Sequence, residues 1–193
     1  NPTGPLHIGH GRGMILGEVT AKFLSYQGHK ITREYYVNDA GRQIDLLLVS
    51  VLLCHLGRNK HIFVDEKSNI DGHLVTYKGN YVNDVASSLS HDLEKIDKDS
   101  VFNLLNEPID SLISFLKNHK SYSQIRNALV NVIIDEYIKE DLSAVGINFD
   151  SWFRESQLYE TGLLDEVLLK IKNKNLSYSK DDALWFKNTQ FGD

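Results

Sequence analysis

Apolar residues recur along the chain at two spacings, and the changes between them lay out the elements. In residues 6–28, LHIGHGRGMILGEVTAKFLSYQG, the apolar positions Ile8, Met14, Ile15, Val19, Phe23 and Leu24 suit an amphipathic helix, with Gly28 as its C-terminal cap. KITREYYVN is rich in β-branched and aromatic residues and predicts a strand over about Ile31 to Val37. Asn38-Asp39 ends that strand, and either residue suits the cap of the next helix, AGRQIDLLLVSVLLCHL, which Gly57 terminates. Loop, helix, strand and helix in under sixty residues is the rhythm of an α/β nucleotide-binding fold whose first strand would lie before Asn1.

The pattern changes after Gly57. Residues 58–79 are mixed and polar, with a short strand expected around His61 to Val64. Helices are expected in YVNDVASSLSHDLEKI, in IDSLISFLKNH and in SQIRNALVNVIIDEYIKEDLSAVG. The last repeats apolar residues at Ile125, Leu129, Val132, Ile133, Tyr137 and Ile138. INFDSWFRE reads as a short extended piece and TGLLDEVLLKIKNKN as a helix. LSYSKDDALWFKNT reads as a hairpin turning at Lys180-Asp181-Asp182. The fold class expected is therefore α/β: the first part of a Rossmann-like fold over residues 1–56, then a mainly helical insertion over 57–193 that ends in a small β hairpin.

Composition changes this picture little. The chain has 193 residues, 41% hydrophobic and 24% charged, ordinary globular values. No apolar run reaches the roughly 20 residues of a membrane span, and no signal peptide is expected. A net charge of −5 argues against a surface that grips nucleic acid along its whole length. The single cysteine, Cys54, excludes an internal disulfide and reads as a small core residue in a reducing compartment, the cytoplasm. The first residue is Asn1, the last stretch is NTQFGD, and both ends read as cuts in a longer chain.

The chemistry concentrates in the opening stretch, NPTGPLHIGHGRG. A helix starting near Leu6 or His7 presents unpaired N–H groups and a partial positive charge, a ready site for phosphate. His7 and His10, three residues apart, share one helix face there. Gly9 between them lets a flat ring such as adenine lie against the backbone. Gly11 and Gly13 are unfavourable inside a helix, which suggests a close approach by some other group. Two imidazole donors beside helix dipoles suit attack on the α-phosphate of a nucleotide, where negative charge grows on the phosphoryl oxygens. The bland alternatives are a chance motif or a pair of metal ligands. Spacing offers no third ligand, so no metal site is expected.

At these residues the chain resembles the class I aminoacyl-tRNA synthetases, whose His-Ile-Gly-His signature stands here as His7, Ile8, Gly9 and His10. NPTGPLHIGHGRG followed by TREYYVNDAGRQI is similar to the bacterial arginyl-tRNA synthetase family, and FDSWFRESQLYETG and DDALWFKNTQFGD follow the same pattern. The resemblance implies activation of L-arginine with ATP to arginyl-adenylate, with Mg²⁺ accompanying the nucleotide, then transfer to tRNA(Arg). His7 and His10 would contact the ATP phosphates, Gly9 would lie under the adenine, and Asn1 would help hold arginine. Asn38 and Asp39, at the end of a strand, are further arginine-binding candidates, although for Asp39 alone the cap of the next helix is the favoured reading.

Of Tyr35 and Tyr36, one is expected in the core and the other towards the site. Gln43 reads as an exposed helix residue, and Arg12 as a phosphate contact or an ordinary ion pair. Trp152, Phe153 and Trp185 read as packing groups, with the tRNA acceptor end as the other partner considered. Glu155 and Glu160 read as helix-flanking or surface charges. The parent protein is expected to be a monomer and the isolated piece to be inactive. It has no Lys-Met-Ser-Lys-type loop, second half-sheet or anticodon-binding part. The competing readings are a glutamyl-type synthetase or HxGH nucleotidyltransferase, and a non-catalytic tRNA- or protein-binding module.

Overall fold

A computed structural model of the chain describes residues 1–58, 60 and 77–192. The strand expected near His61 to Val64 lies outside them. After an extended NPTGP segment, helix α1 spans Ile8–Tyr26, strand β1 Glu34–Val37 and helix α2 Arg42–His55. Both helices end in the pattern foreseen. Gly28 and Gly57 take left-handed backbone angles, and the N–H groups around them return to carbonyls of the last turn, as in His29 N to Leu24 O and Arg58 N to Leu53 O.

Beyond the undescribed segment come α3 (Asn80–Ser88), α4 (Ser90–Leu93), α5 (Lys98–Asn103), α6 (Ile109–Lys117) and α7 (Tyr122–Val132). A π-helical turn, Ile133–Ile138, runs on into α8 (Lys139–Ala144). Strand β2 (Ser151–Arg154) and helices α9 (Ser156–Glu160) and α10 (Leu163–Asn173) follow. The hairpin β3 (Ser177–Lys180) and β4 (Ala183–Phe186) comes last, before a short 3₁₀ turn.

Three expectations are corrected. The helix foreseen over 81–96 breaks at Leu89, so α3 and α4 are separate. The long helix from Ser123 holds, but with the π turn inside it. Ile133 and Ile138 are both buried, and a five-residue step keeps them on one side only if the helix widens locally. The apolar stripe of α1 does not pack. No residue of that helix is buried, and Ile15, Val19 and Phe23 lie about 60% exposed while Met14 alone of the six meets the core.

The extended piece at INFDSWFRE has a partner that spacing could not name. β2 pairs in parallel with β1, Tyr35 opposite Trp152 and Val37 opposite Arg154, so residues on both sides of position 56 build one sheet. The stacked rings of Tyr35 and Trp152, 4.6 Å apart, and the edge of Phe149 on Tyr35 reinforce the register. The core runs from Val37 through α2, buried on nearly every side, into α3 to α8 and Ile147. α10 and the hairpin bury no side chain, although the hairpin turns at Asp181-Asp182 within the stretch expected, with φ of 52° and 58° that match the twist of its strands.

Candidate active site

The opening residues form a loop that the helical part clamps at two points. Tyr81 of α3 donates its hydroxyl to the Thr3 carbonyl at 2.9 Å, and its ring lies where a Cβ on Gly4 would come within 3.1 Å. Burial, with Tyr77 and Tyr137 nearby, pushes the Tyr81 hydroxyl up to about 12, so it is a donor across the physiological range. Asp141 of α8 accepts from the Leu6 N–H at 2.8 Å. Neither clamp was foreseen from sequence, because each joins positions far apart along the chain.

Held in this way, the chain enters α1 with His7 at the N-cap. The imidazoles of His7 and His10 stack with centroids 3.6 Å apart, and both are exposed. The His7 N–H donates to His10 Nδ1 at 3.2 Å, the tautomer arrangement in which Nε2 carries the proton and is the free donor. Gly9 has an immediate steric reason: a Cβ there would lie 3.0 Å from the His7 ring. Gly11 and Gly13 show no such neighbour, and a Cβ at either would meet open space. Arg12 is exposed.

His7 and His10 stand at the mouth of a cleft of about 570 Å³ that also includes Asn1, Met14, Tyr35, Tyr81 and Phe149. Its walls are aromatic and its rim carries the imidazoles and the Asn1 amide, a combination suited to a flat heterocycle bearing phosphates. Asn1 Nδ2 also donates to Gln43 Oε1, in the first turn of α2. Gln43 is exposed, as expected, but serves to steady Asn1.

A second group of polar residues lies at the C-terminal ends of β1 and β2, the edge where parallel sheets bind ligands. Asn38 is half-buried, 3.6 Å from where a Cβ on Gly41 would stand. Asp39 is fully buried, and it does not cap α2, whose N-cap is Gly41. Its two carboxylate oxygens accept from the backbone N and the hydroxyl of Ser156, each at 2.9 Å, so it caps α9 instead and ties the two strand ends together.

Glu155, expected as a helix-flanking or surface charge, does flank a helix, as the N-cap residue of α9, but its place at the strand ends was not foreseen. Its N–H donates to the Val37 carbonyl at 2.9 Å, and its Oε2 is buried with no hydrogen-bond partner among the described residues. A buried carboxylate oxygen without a partner is rare and points to a donor supplied from outside. Tyr36 stands beside it. Loss of water raises the Tyr36 hydroxyl pKa, and the Glu155 charge raises it further. Tyr36 is half-exposed at this edge, while Tyr35 faces the histidine cleft. Trp152 and Phe153 pack on these tyrosines, and Trp185 stands exposed on the hairpin, its indole N–H on the Lys180 carbonyl.

A helix opening on a histidine pair, next to a parallel strand whose end carries polar side chains, is the arrangement of a class I aminoacyl-tRNA synthetase catalytic domain. The sequence model for tRNA synthetases class I (R), catalytic domain, matches residues 1–193, and the chain belongs to that family. Among its relatives, the arginine–tRNA ligases of Hydrogenovibrio crunogenus and Aquifex aeolicus are each 36% identical over the whole of this chain. The chain spans 35% of the length of each of them. The crystal structure of a putative arginyl-tRNA synthetase from Campylobacter jejuni superposes over the whole chain with a TM-score of 0.67, at 30% identity and 37% coverage of that chain.

Proposed function

We propose that the full-length protein activates L-arginine with ATP and passes the arginyl group to tRNA(Arg). In the first step a carboxylate oxygen of arginine attacks the α-phosphorus, the bond to the bridging β-phosphate oxygen breaks, and pyrophosphate leaves arginyl-adenylate behind. In the second, a ribose hydroxyl of the terminal adenosine of the tRNA attacks the acyl carbon and AMP departs. His7 and His10 donate to the phosphoryl oxygens as their charge grows, with the helix N-terminus behind them. The adenine lies against Gly9 and the aromatic wall of the cleft. No covalent intermediate forms on the protein, and catalysis is by charge stabilisation and positioning.

Arginine is held between Asn1, at the cleft rim, and the strand-end group of Asn38, Asp39 and Glu155. Asp39 contributes by holding the two strand ends in register, since Ser156 takes both its oxygens. The observation that carries the reading is the partnerless buried oxygen of Glu155, whose best complement is a planar cation with paired N–H donors, a guanidinium. The same carboxylate opposes a glutamyl-type substrate by repulsion. Mg²⁺ accompanies the nucleotide. Asp141 already accepts from the Leu6 N–H, and among the described residues no set of three His, Cys, Asp or Glu side chains converges.

In this reading residues 1–56 open the catalytic fold and 57–193 form its connective part, which returns β2 to the sheet. The whole enzyme works as a monomer in the cytoplasm. No helix among the described residues is long and apolar enough to cross a membrane. Equilibrium binding to the full-length protein tests the pocket: arginine should bind, and citrulline, its neutral isostere, should bind at least about tenfold more weakly. Equal binding of the two would remove the role given to Glu155.

A further inference from the structure

Asp45, in the first turn of α2, is a buried carboxylate that the site does not use. Its side chain is 5% exposed; the Tyr122 hydroxyl donates to Oδ1 at 2.5 Å, and the Lys117 ammonium is 2.9 Å from Oδ2. That pair already supplies a counter-charge and a hydrogen bond. Arg126 of α7 is nevertheless drawn in beside it, its Nε 3.4 Å from Oδ1 and its side chain 12% exposed. Arg126 does not take up the two-pronged pairing that a carboxylate offers. Its Nη2–H is given to the main-chain carbonyl of Asp39, and its Nε–H is buried with no hydrogen-bond partner. An unpaired buried donor is costly, so the geometry favours the Asp39 carbonyl at the expense of the better pairing with Asp45.

We propose that Arg126 is a positioning residue for the amino-acid substrate, fixing the end of β1 from behind. The inference rests on the reading of the strand ends as the arginine pocket. With its carboxylate on Ser156 and its carbonyl on Arg126, Asp39 is held on both sides of its Cα. Asn38 precedes it directly, and Glu155 precedes Ser156 directly while its own N–H is tied to Val37. Fixing Asp39 therefore fixes the separation of Asn38 and Glu155, the two side chains left to meet the substrate. The histidine loop hangs from Tyr81 and Asp141 instead, so Arg126 bears on the arginine half of the site and not on the ATP half.

The test is steady-state ATP–pyrophosphate exchange by the full-length enzyme with tRNA present, comparing wild type, Arg126→Lys and Arg126→Met. Small displacements of positioning groups have large kinetic effects. Both variants should raise KM for arginine by about tenfold or more while KM for ATP stays within about twofold. Lysine keeps a charge near Asp45, so Arg126→Lys should retain the thermal stability of the wild type. It cannot span both Asp45 and the Asp39 carbonyl, and should therefore still show the arginine effect. If Arg126→Met does not fold, Arg126→Lys decides alone. An Arg126→Lys enzyme whose two KM values are unchanged, or move together, overturns the proposal and makes Arg126 a packing residue. A wild-type enzyme without arginine-dependent exchange would instead sink the reading of the pocket itself, and is seen before any variant is made.

Discussion

The carboxylate of Asp39 accepts two hydrogen bonds of 2.9 Å from Ser156, 117 positions later, one from its backbone N and one from its hydroxyl. This contact closes the C-terminal edge of the two-stranded sheet and starts α9 at the same point. Removing the hydroxyl alone, in Ser156→Ala, leaves the backbone N bonded and should cost about 1 kcal/mol of stability. Asp39→Ala leaves both donors without an acceptor and should cost about 3 kcal/mol, measured by urea denaturation. Equal losses in the two variants would mean that the backbone bond contributes nothing.

His7 and His10 are assigned to charge that develops only as the adenylate forms. His7→Ala and His10→Ala should each lower kcat for ATP–pyrophosphate exchange by about 10²–10³, with KM for both substrates changed little. A variant that raised KM for ATP in proportion to the loss would show that the imidazoles bind the ground state instead.

Gly9 separates stability from activity. Alanine at this helical position should add up to about 1 kcal/mol of helix stability. Its Cβ would nevertheless stand 3.0 Å from the His7 imidazole and push it off the His10 stack. Gly9→Ala should therefore be at least as stable as the parent in thermal melts, yet slower in exchange by about tenfold or more. An active Gly9→Ala enzyme would show that the His7 position is not critical.

Much of this organisation was legible in the sequence, and what was not has a common cause. The helices declared themselves by spacing, their ends by Gly28 and Gly57, and the hairpin by Asp181-Asp182, all of them local signals. The histidine pair and its glycine were legible because motif and helix start coincide. Long-range pairing left no such mark. Nothing in INFDSWFRE names β1 as its partner, so Glu155 read only as a helix-flanking or surface charge, whereas its N–H is tied to Val37 and one of its carboxylate oxygens is buried. The same holds for Tyr81 and Asp141, whose loop contacts cross 78 and 135 positions. The exposed stripe of α1 is the opposite case: the pattern was real, and among the described residues no element buries it.

The docking of α1 carries a pH dependence. Glu18 bridges α1 to Arg33, 2.9 Å away, just before β1, and the hydrogen bond from that guanidinium holds the Glu18 carboxyl below its ordinary value of 4.5. A depressed folded-state value means that the stabilisation is complete above pH 4.5 and is lost as pH falls through the lower, folded value. Amide exchange over α1 should accelerate as pH falls below 4.5 in the parent, whereas Glu18→Gln should exchange faster at neutral pH with little further change on acidification. Parallel profiles for the two proteins would show that the bridge does not hold the helix.

The role proposed for this chain is the arginine- and ATP-facing part of an arginine-activating enzyme. Its most direct test is ATP–pyrophosphate exchange by the full-length protein, with tRNA present, against a panel of the twenty amino acids. Exchange supported by arginine, and by no other amino acid to within about a hundredfold in kcat/KM, is the result expected. Exchange supported by glutamate, or by none of the twenty, would contradict it.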